Sequence, residues 1–228
     1  MGIEAKKISK RFIRKTGKSN TFVAVKETDF SLNEGEFVTL MGRSGSGKTT
    51  FLNMLCGILP PSSGCVFLDG IDIYSLPDDE QSSLRRKKMG VVPQGQSALG
   101  NFSVLENVML PFLIHDELEN DSENYALGLL EKTQIAHLRD VSSGELSGGE
   151  MRRMAIARAL VRKPSYIFAD EPTGDLDDEN TGFVLSLLRM AADEGAGVFV
   201  VTHEEGVKEY ADKVYTMELS VLKSITHE

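Results

Sequence analysis

Eight residues, Gly42–Thr49 (GRSGSGKT), constrain this chain more than any other stretch. They follow the apolar run Phe37–Met41 and precede an apolar segment that reads as a helix from Lys48 to about Ile58. Glycines at 42, 45 and 47 allow consecutive backbone N–H groups to turn inward into an anion nest, and the helix start adds its positive end. In a strand–GxxxxGK(S/T)–helix unit, the lysine reaches the β- and γ-phosphates of a nucleoside triphosphate and the hydroxyl residue ligates Mg²⁺. Gly42, Arg43, Ser44, Gly45, Ser46, Gly47, Lys48, Thr49 and Thr50 are therefore the candidate nucleotide-binding residues, with Thr49 also a candidate metal ligand. A glycine-rich surface turn is the alternative, and it leaves the flanking strand and helix unexplained.

Two further stretches carry chemistry. Tyr166-Ile-Phe-Ala-Asp170-Glu171 is a continuous apolar strand ending in two carboxylates, which places them at the carboxyl edge of a parallel sheet, where ligands of such sheets bind. Asp170 is the candidate for the Mg²⁺ shell, and Glu171 for the general base acting on the attacking water. Leu146-Ser-Gly-Gly-Glu150 opens a helix through Arg162, so Ser147, Gly148 and Gly149 form a second anion-seeking helix start. One triphosphate is already cradled by the first loop. The second start is therefore expected to serve the nucleotide of another copy. Ser147 and Glu150 also fit a capping box, a use that competes with contact to a partner's nucleotide.

The order of elements defines the fold class. Alternating apolar segments near Ala5–Phe12 and Phe22–Leu32 suggest antiparallel strands ahead of Phe37–Met41. A strand pair brackets Asp69-Gly70, a polar helix begins near Pro77, and a strand covers Met89–Val92. Ser103–Glu106 is a capping box opening a helix towards Ile114, and Glu123–Thr133 suits another. After the strand Tyr166–Ala169 come a helix over Glu179–Ala192, a strand at Val198–Thr202, a short helix and a strand at Lys213–Met217. Strands alternating with helices imply an α/β chain built on a mainly parallel sheet covered on both faces, interrupted by a helical insertion over about 101–162. The 228 residues suit one domain with subdomains, about 1–100 and 163–228 forming the core.

Composition narrows the partners. A net charge of −9 opposes binding driven by phosphate neutralisation along nucleic acid, so no nucleic-acid partner is expected. The basic runs Lys6–Lys18 and Arg85–Lys88 read as solvated surface. Cys56 and Cys65 lack metal-ligand spacing and suit a reducing compartment. No apolar run approaches a membrane span, and the N-terminus lacks a signal-peptide core. Any work at a membrane would use a membrane part supplied by another chain.

Taken together, GRSGSGKT, LSGGE, YIFADE and Gly174–Asp177 (GDLD) resemble the Walker A, signature, Walker B and D-loop motifs of the ATP-binding-cassette ATPase family, across essentially the whole chain. The resemblance implies the P-loop NTPase core of that family, with an N-terminal antiparallel β subdomain and an inserted α-helical subdomain. It implies ATP and Mg²⁺ as ligands. It makes His203 the switch histidine that bonds the γ-phosphate, Gln94 the glutamine that touches Mg²⁺ or the attacking water, and Phe12 the aromatic that stacks on adenine. Gln96 lies beside Gln94 as a rival, and Phe12 also suits a core position. Asp177 would bridge to the partner subunit, although a helix N-cap is a rival for it or Asp178. Glu150 departs from the family's commoner glutamine, and a carboxylate near phosphates weakens that half-site unless it faces the ribose hydroxyls.

The implied activity is ATP hydrolysis by the motor subunit of a membrane transporter, with two copies sandwiching two ATP molecules. LMGRSGSGKTTFLNMLCGI, LRRKKMGVV, LENVMLPFLI, DEPTGDLD and the polar hairpin around Arg14–Asn20 look like the group serving lipoprotein release, macrolide efflux, antimicrobial-peptide export and cell division. That resemblance implies a permease with few membrane helices and a large extracytoplasmic domain, and a cytoplasmic, membrane-peripheral location. The rival implication is a soluble cassette ATPase, for example one in iron–sulfur cluster assembly. The other histidines, His115, His137 and His227, read as ordinary polar residues.

Overall fold

The structure is a computed structural model describing residues 1–14, 20–95, 98–114, 121–174 and 176–225. Residues 15–19 of the expected hairpin, Gln96, His115, Asp175 of the GDLD stretch and His227 lie outside the described residues.

Two sheets form the frame. The first is antiparallel and contains β1 (Gly2–Arg14), β2 (Asn20–Asn33), β4 (Ser63–Leu68) and β5 (Ile71–Asp72) in the order β2-β1-β4-β5. The second has the order β10-β9-β3-β8-β7-β6, from β3 (Phe37–Met41), β6 (Met89–Val92), β7 (Tyr166–Asp170), β8 (Gly197–Thr202), β9 (Lys213–Glu218) and β10 (Val221–Ile225). Strands β9, β3, β8, β7 and β6 run parallel, and β10 returns antiparallel to β9. Every residue of β3, β7 and β8 is buried, as strands covered on both faces require.

Each face has its own core. Between the sheets lies α1 (Lys48–Leu55), where Phe30, Phe51, Phe168, Phe199 and Tyr215 meet edge-to-face. On the opposite face α6 (Asp178–Asp193) buries Val184, Leu185, Leu188 and Ala192 against β7 and β8 residues, with Ala155 and Ile156 of α5 (Gly148–Leu160) alongside. The helices α3 (Val104–Leu113), α4 (Ser122–Lys132) and α5 close on a third cluster around Val108, Leu130, Met154 and Val161. Both expected capping boxes are present, Ser103 with Glu106 and Ser147 with Glu150. The polar helix α2 (Asp78–Lys88) opens on Asp78, Asp79 and Glu80 and closes on Arg85–Lys88, charges that complement its dipole.

Two boundaries differ from the sequence reading. Helix α1 stops at Leu55 rather than near Ile58, because Gly57 turns left-handed at φ 73° and the N–H groups of Ile58 and Leu59 both donate to Asn53 O. Strand β10 was not expected. Its hairpin turns through Leu219 and Ser220, both at positive φ, a geometry usually signalled by Asn-Gly.

Candidate active site

The phosphate loop joins the carboxyl end of β3 to α1. Gly47 takes φ 109°, and a Cβ there would meet Ala24 O at 2.1 Å, so the loop packs against β2 only as glycine. At Gly42, φ 155° and a would-be Cβ 2.5 Å from Met217 O impose the same restriction. Helix α1 starts without a side-chain cap, so its first N–H groups remain for an anion. Lys48 lies folded within the loop. Its Nζ donates to Gly42 O at 2.7 Å and Arg43 O at 3.3 Å, and it stands 3.7 Å from Glu171 Oε1.

Glu171 follows β7 directly and is held in an unusual conformation. Its φ is 47°, in the left-handed region, and its N–H donates to Val201 O at 2.8 Å. That turn aims the carboxylate between two neighbours. One oxygen faces Lys48, and Oε2 lies 3.0 Å from His203 Nδ1, at the end of β8. A carboxylate only accepts, so the proton of this contact sits on Nδ1. A lysine, a carboxylate and an imidazole from distant parts of the chain thus form one line along the sheet edge.

Asp170, the last residue of β7, is 3% exposed, and its Oδ1 has no hydrogen-bond partner. Burial pushes its carboxyl above the ordinary value; the Thr49 hydroxyl, Lys48 and Arg152 act in the opposite sense. A buried carboxylate with an unused oxygen, beside a hydroxyl and below a phosphate cradle, is the donor set of a hard divalent cation that takes its remaining ligands from phosphates and water. Among the described residues there is no cluster of three or more acidic, histidine or cysteine ligands. Asp170 and Thr49 therefore fit Mg²⁺.

Above these groups opens a cleft of about 1050 Å³. Its lining includes Arg43, Ser44, Gly45, Gly47, Lys48, Thr49, Thr50, Gln94, Glu171 and His203. Ser46 lies beneath, its Oγ buried and unpartnered. Phe12 and Phe22 form the outer wall; they pair across β1 and β2 and are 39% and 40% exposed. Sequence reasoning missed Phe22, although antiparallel pairing of the two segments would have set it opposite Phe12. It also missed Arg152, which reaches the cleft from α5.

Ser147, Gly148, Gly149, Glu150 and Asp177 do not line this cleft. Glu150 Oε2 accepts from the Ser147 N–H at 2.8 Å and from its hydroxyl at 2.7 Å. These bonds hold the Glu150 carboxyl below its ordinary value. Asp177 is the N-cap of α6, accepting from the Asn180 N–H and side-chain amide, each at 2.8 Å.

A model of the family described as "ABC transporter" matches residues 25–174, which include the phosphate loop, the LSGGE stretch and the Asp170-Glu171 pair. The chain belongs to the ABC transporter family. It is an ABC ATPase, hydrolysing ATP to ADP and phosphate. Among curated relatives, the lipoprotein-releasing system ATP-binding protein LolD of Buchnera aphidicola subsp. Acyrthosiphon pisum (strain APS) is 38% identical over 185 residues, 81% of each chain. The macrolide export ATP-binding/permease protein MacB of Chlorobium luteolum (strain DSM 273 / BCRC 81028 / 2530) is 40% identical over 198 residues, 87% of this chain but 30% of MacB. The fold matches the dimeric structure of MJ0796, a bacterial ABC transporter cassette, with TM-score 0.89 and 32% identity over 99% of this chain and all of that one. A second MJ0796 dimer, a post-hydrolysis state bound to ADP and Pi, matches equally well. Among the described residues of this ABC ATPase no helix is long and apolar enough to cross a membrane.

Proposed function

We propose that this ABC ATPase is the motor subunit of a membrane transporter, two copies closing around two ATP molecules and hydrolysing them in composite sites. The observation that carries the reading is the line Lys48–Glu171–His203 beside Asp170, whose Oδ1 is unpartnered, at the mouth of a cradle lacking a side-chain cap. Within one copy, the loop 42–50 holds the phosphates and Lys48 leaves its carbonyls for the β- and γ-oxygens. Phe12 stacks on adenine. Asp170, Thr49 and Gln94 would hold Mg²⁺, which would supply charge stabilisation to the phosphates. Glu171 takes the proton of the attacking water, and His203 orients that carboxylate and bonds the γ-phosphate. Ser147, Gly148 and Gly149 face the nucleotide of the other copy, Glu150 lies towards its ribose, and Asp177 bridges the copies. The helices within 101–162 form the arm that carries Ser147 to Glu150, whereas Asp177 sits at the start of α6.

ATP favours the closed dimer by mass action, so transport is a population shift driven by differential affinity. The similarity to LolD, named for a lipoprotein-releasing system, and to MacB, a combined ATP-binding/permease protein, supports work alongside a membrane permease. For this chain the permease we propose is a separate subunit with few membrane helices and a large extracytoplasmic domain, engaged at the cytoplasmic membrane face. The work done is export, extraction or mechanotransmission. Glu171→Gln tests the reading: it should trap an ATP-bound dimer, seen by size-exclusion chromatography, and slow phosphate release by about 10²-fold or more. Undiminished release would remove Glu171 as the base.

A further inference from the structure

Arg152 belongs to α5, two residues beyond the LSGGE stretch, yet its side chain reaches the ATP cleft of its own chain. Its Nη1 donates to Pro93 O at 3.3 Å and Gly95 O at 3.4 Å, the two carbonyls that flank Gln94. Gln94 itself is exposed, follows the end of β6, and precedes Gly95 at φ 84°. The backbone bonds described outside regular elements include none that holds the Gln94 peptide. One guanidinium therefore ties both sides of this residue to the helix that begins with Ser147. Its neighbour Arg153 turns the other way, donating to Asn180 Oδ1 at 2.9 Å on α6.

From this geometry we infer that Arg152 is a positioning residue for hydrolysis: by bridging Pro93 O and Gly95 O it sets the Gln94 amide in the cleft, where it would meet Mg²⁺ or the attacking water, and links that setting to the signature helix of the same chain. A charged donor is suited to this task, because its bonds to backbone carbonyls are stronger than those of a neutral side chain. Arginine also matters for direction, since the two hydrogens of Nη1 are fixed in the guanidinium plane and serve the two carbonyls, whereas a lysine offers a point charge. The phosphate loop and Phe12 are untouched by the contact. Arg152 should thus act on turnover and leave ATP binding alone.

The inference rests on the proposed role of Gln94, and a double-mutant cycle separates the two. The purified chain is assayed for steady-state ATP hydrolysis, for ATP affinity by titration calorimetry, and for melting temperature. Arg152→Met is expected to lower kcat on the order of tenfold to hundredfold, the scale of a small misplacement of a catalytic group, with Kd for ATP unchanged within about twofold. Arg152→Lys should recover part of kcat. Gln94→Ala should lower kcat, and adding Arg152→Met to it should cost little more. Unchanged turnover in Arg152→Met would overturn the inference, as would losses that multiply in the double variant. A loss that merely tracks the melting temperature and is not relieved by lysine would also overturn it. If Gln94→Ala alone leaves kcat intact, the role of Gln94 itself fails.

Discussion

At Gly47 the backbone leaves no space for a side chain, since φ is 109° and the Ala24 carbonyl lies 2.1 Å from any Cβ. Gly47→Ala should therefore strain the loop against β2 and displace the first N–H groups of α1. We expect a stability loss of roughly 2 kcal/mol or more and an ATP affinity too weak for calorimetry at micromolar protein; urea unfolding and titration check both. Glu171 shows a related constraint with a different purpose. It accepts an unfavoured φ of 47° to stand between Lys48 and His203. The identity of both residues was legible in the sequence, because GRSGSGKT and YIFADE announce their chemistry locally. The conformation of Glu171 was not, because it depends on a bond to Val201 on a neighbouring strand.

Two helix starts differ in a way that sets their roles. Helix α1 begins uncapped at Gly47, whereas α5 begins with its own carboxylate, Glu150, bonded to the Ser147 N–H and hydroxyl. On the composite-site proposal, a phosphate arriving from the other copy would have to loosen that carboxylate. Glu150→Gln keeps a capping-box residue and removes the charge, and neutral bonds yield more easily. In a Glu171→Gln background it should tighten ATP-dependent dimerisation several-fold, read by analytical ultracentrifugation. The monomer's stability should shift by no more than about 0.5 kcal/mol. The pH dependence has a definite sign. The folded-state pKa of Glu150 lies below the ordinary 4.5, so its capping contribution is full above that value and is lost as pH falls through the lower one. The box therefore stays ionised and closed at neutral pH. Both capping boxes were legible from Ser-x-x-Glu spacing, since the bonds join near neighbours. The β10 hairpin was hidden because Leu219-Ser220 carries no turn signal. Arg152 was hidden because its partners are backbone carbonyls, to which any sequence contributes alike.

Across the whole molecule, the proposed catalytic groups lie at one end of β3, β7 and β8, while Ser147 and its glycines stand apart on the helical arm. On the composite-site proposal, a site divided in this way would make turnover a property of two chains. Ser147→Arg should abolish hydrolysis while leaving ATP affinity of the monomer nearly intact; equal loss of both, measured by phosphate release and calorimetry, would show that the site is complete within one chain. The alternation of strand and helix made the fold class legible, because parallel strands demand crossovers. The arrangement of the two sheets around the aromatic cluster of Phe30, Phe51 and Phe199 was less so, since it depends on contacts between distant segments.

The strand order carries a consequence for synthesis. Strand β3, with five apolar-lined and fully buried residues, finds both of its neighbours, β8 and β9, more than 150 residues later in the chain. As the polypeptide leaves the ribosome, Phe37–Met41 must wait unpaired until residues near 198–216 emerge, and loop closure of that length is slow. Until then the growing chain leaves a buried strand of the finished sheet unpaired and exposed to aggregation, so a prematurely terminated product would be a burden for chaperones.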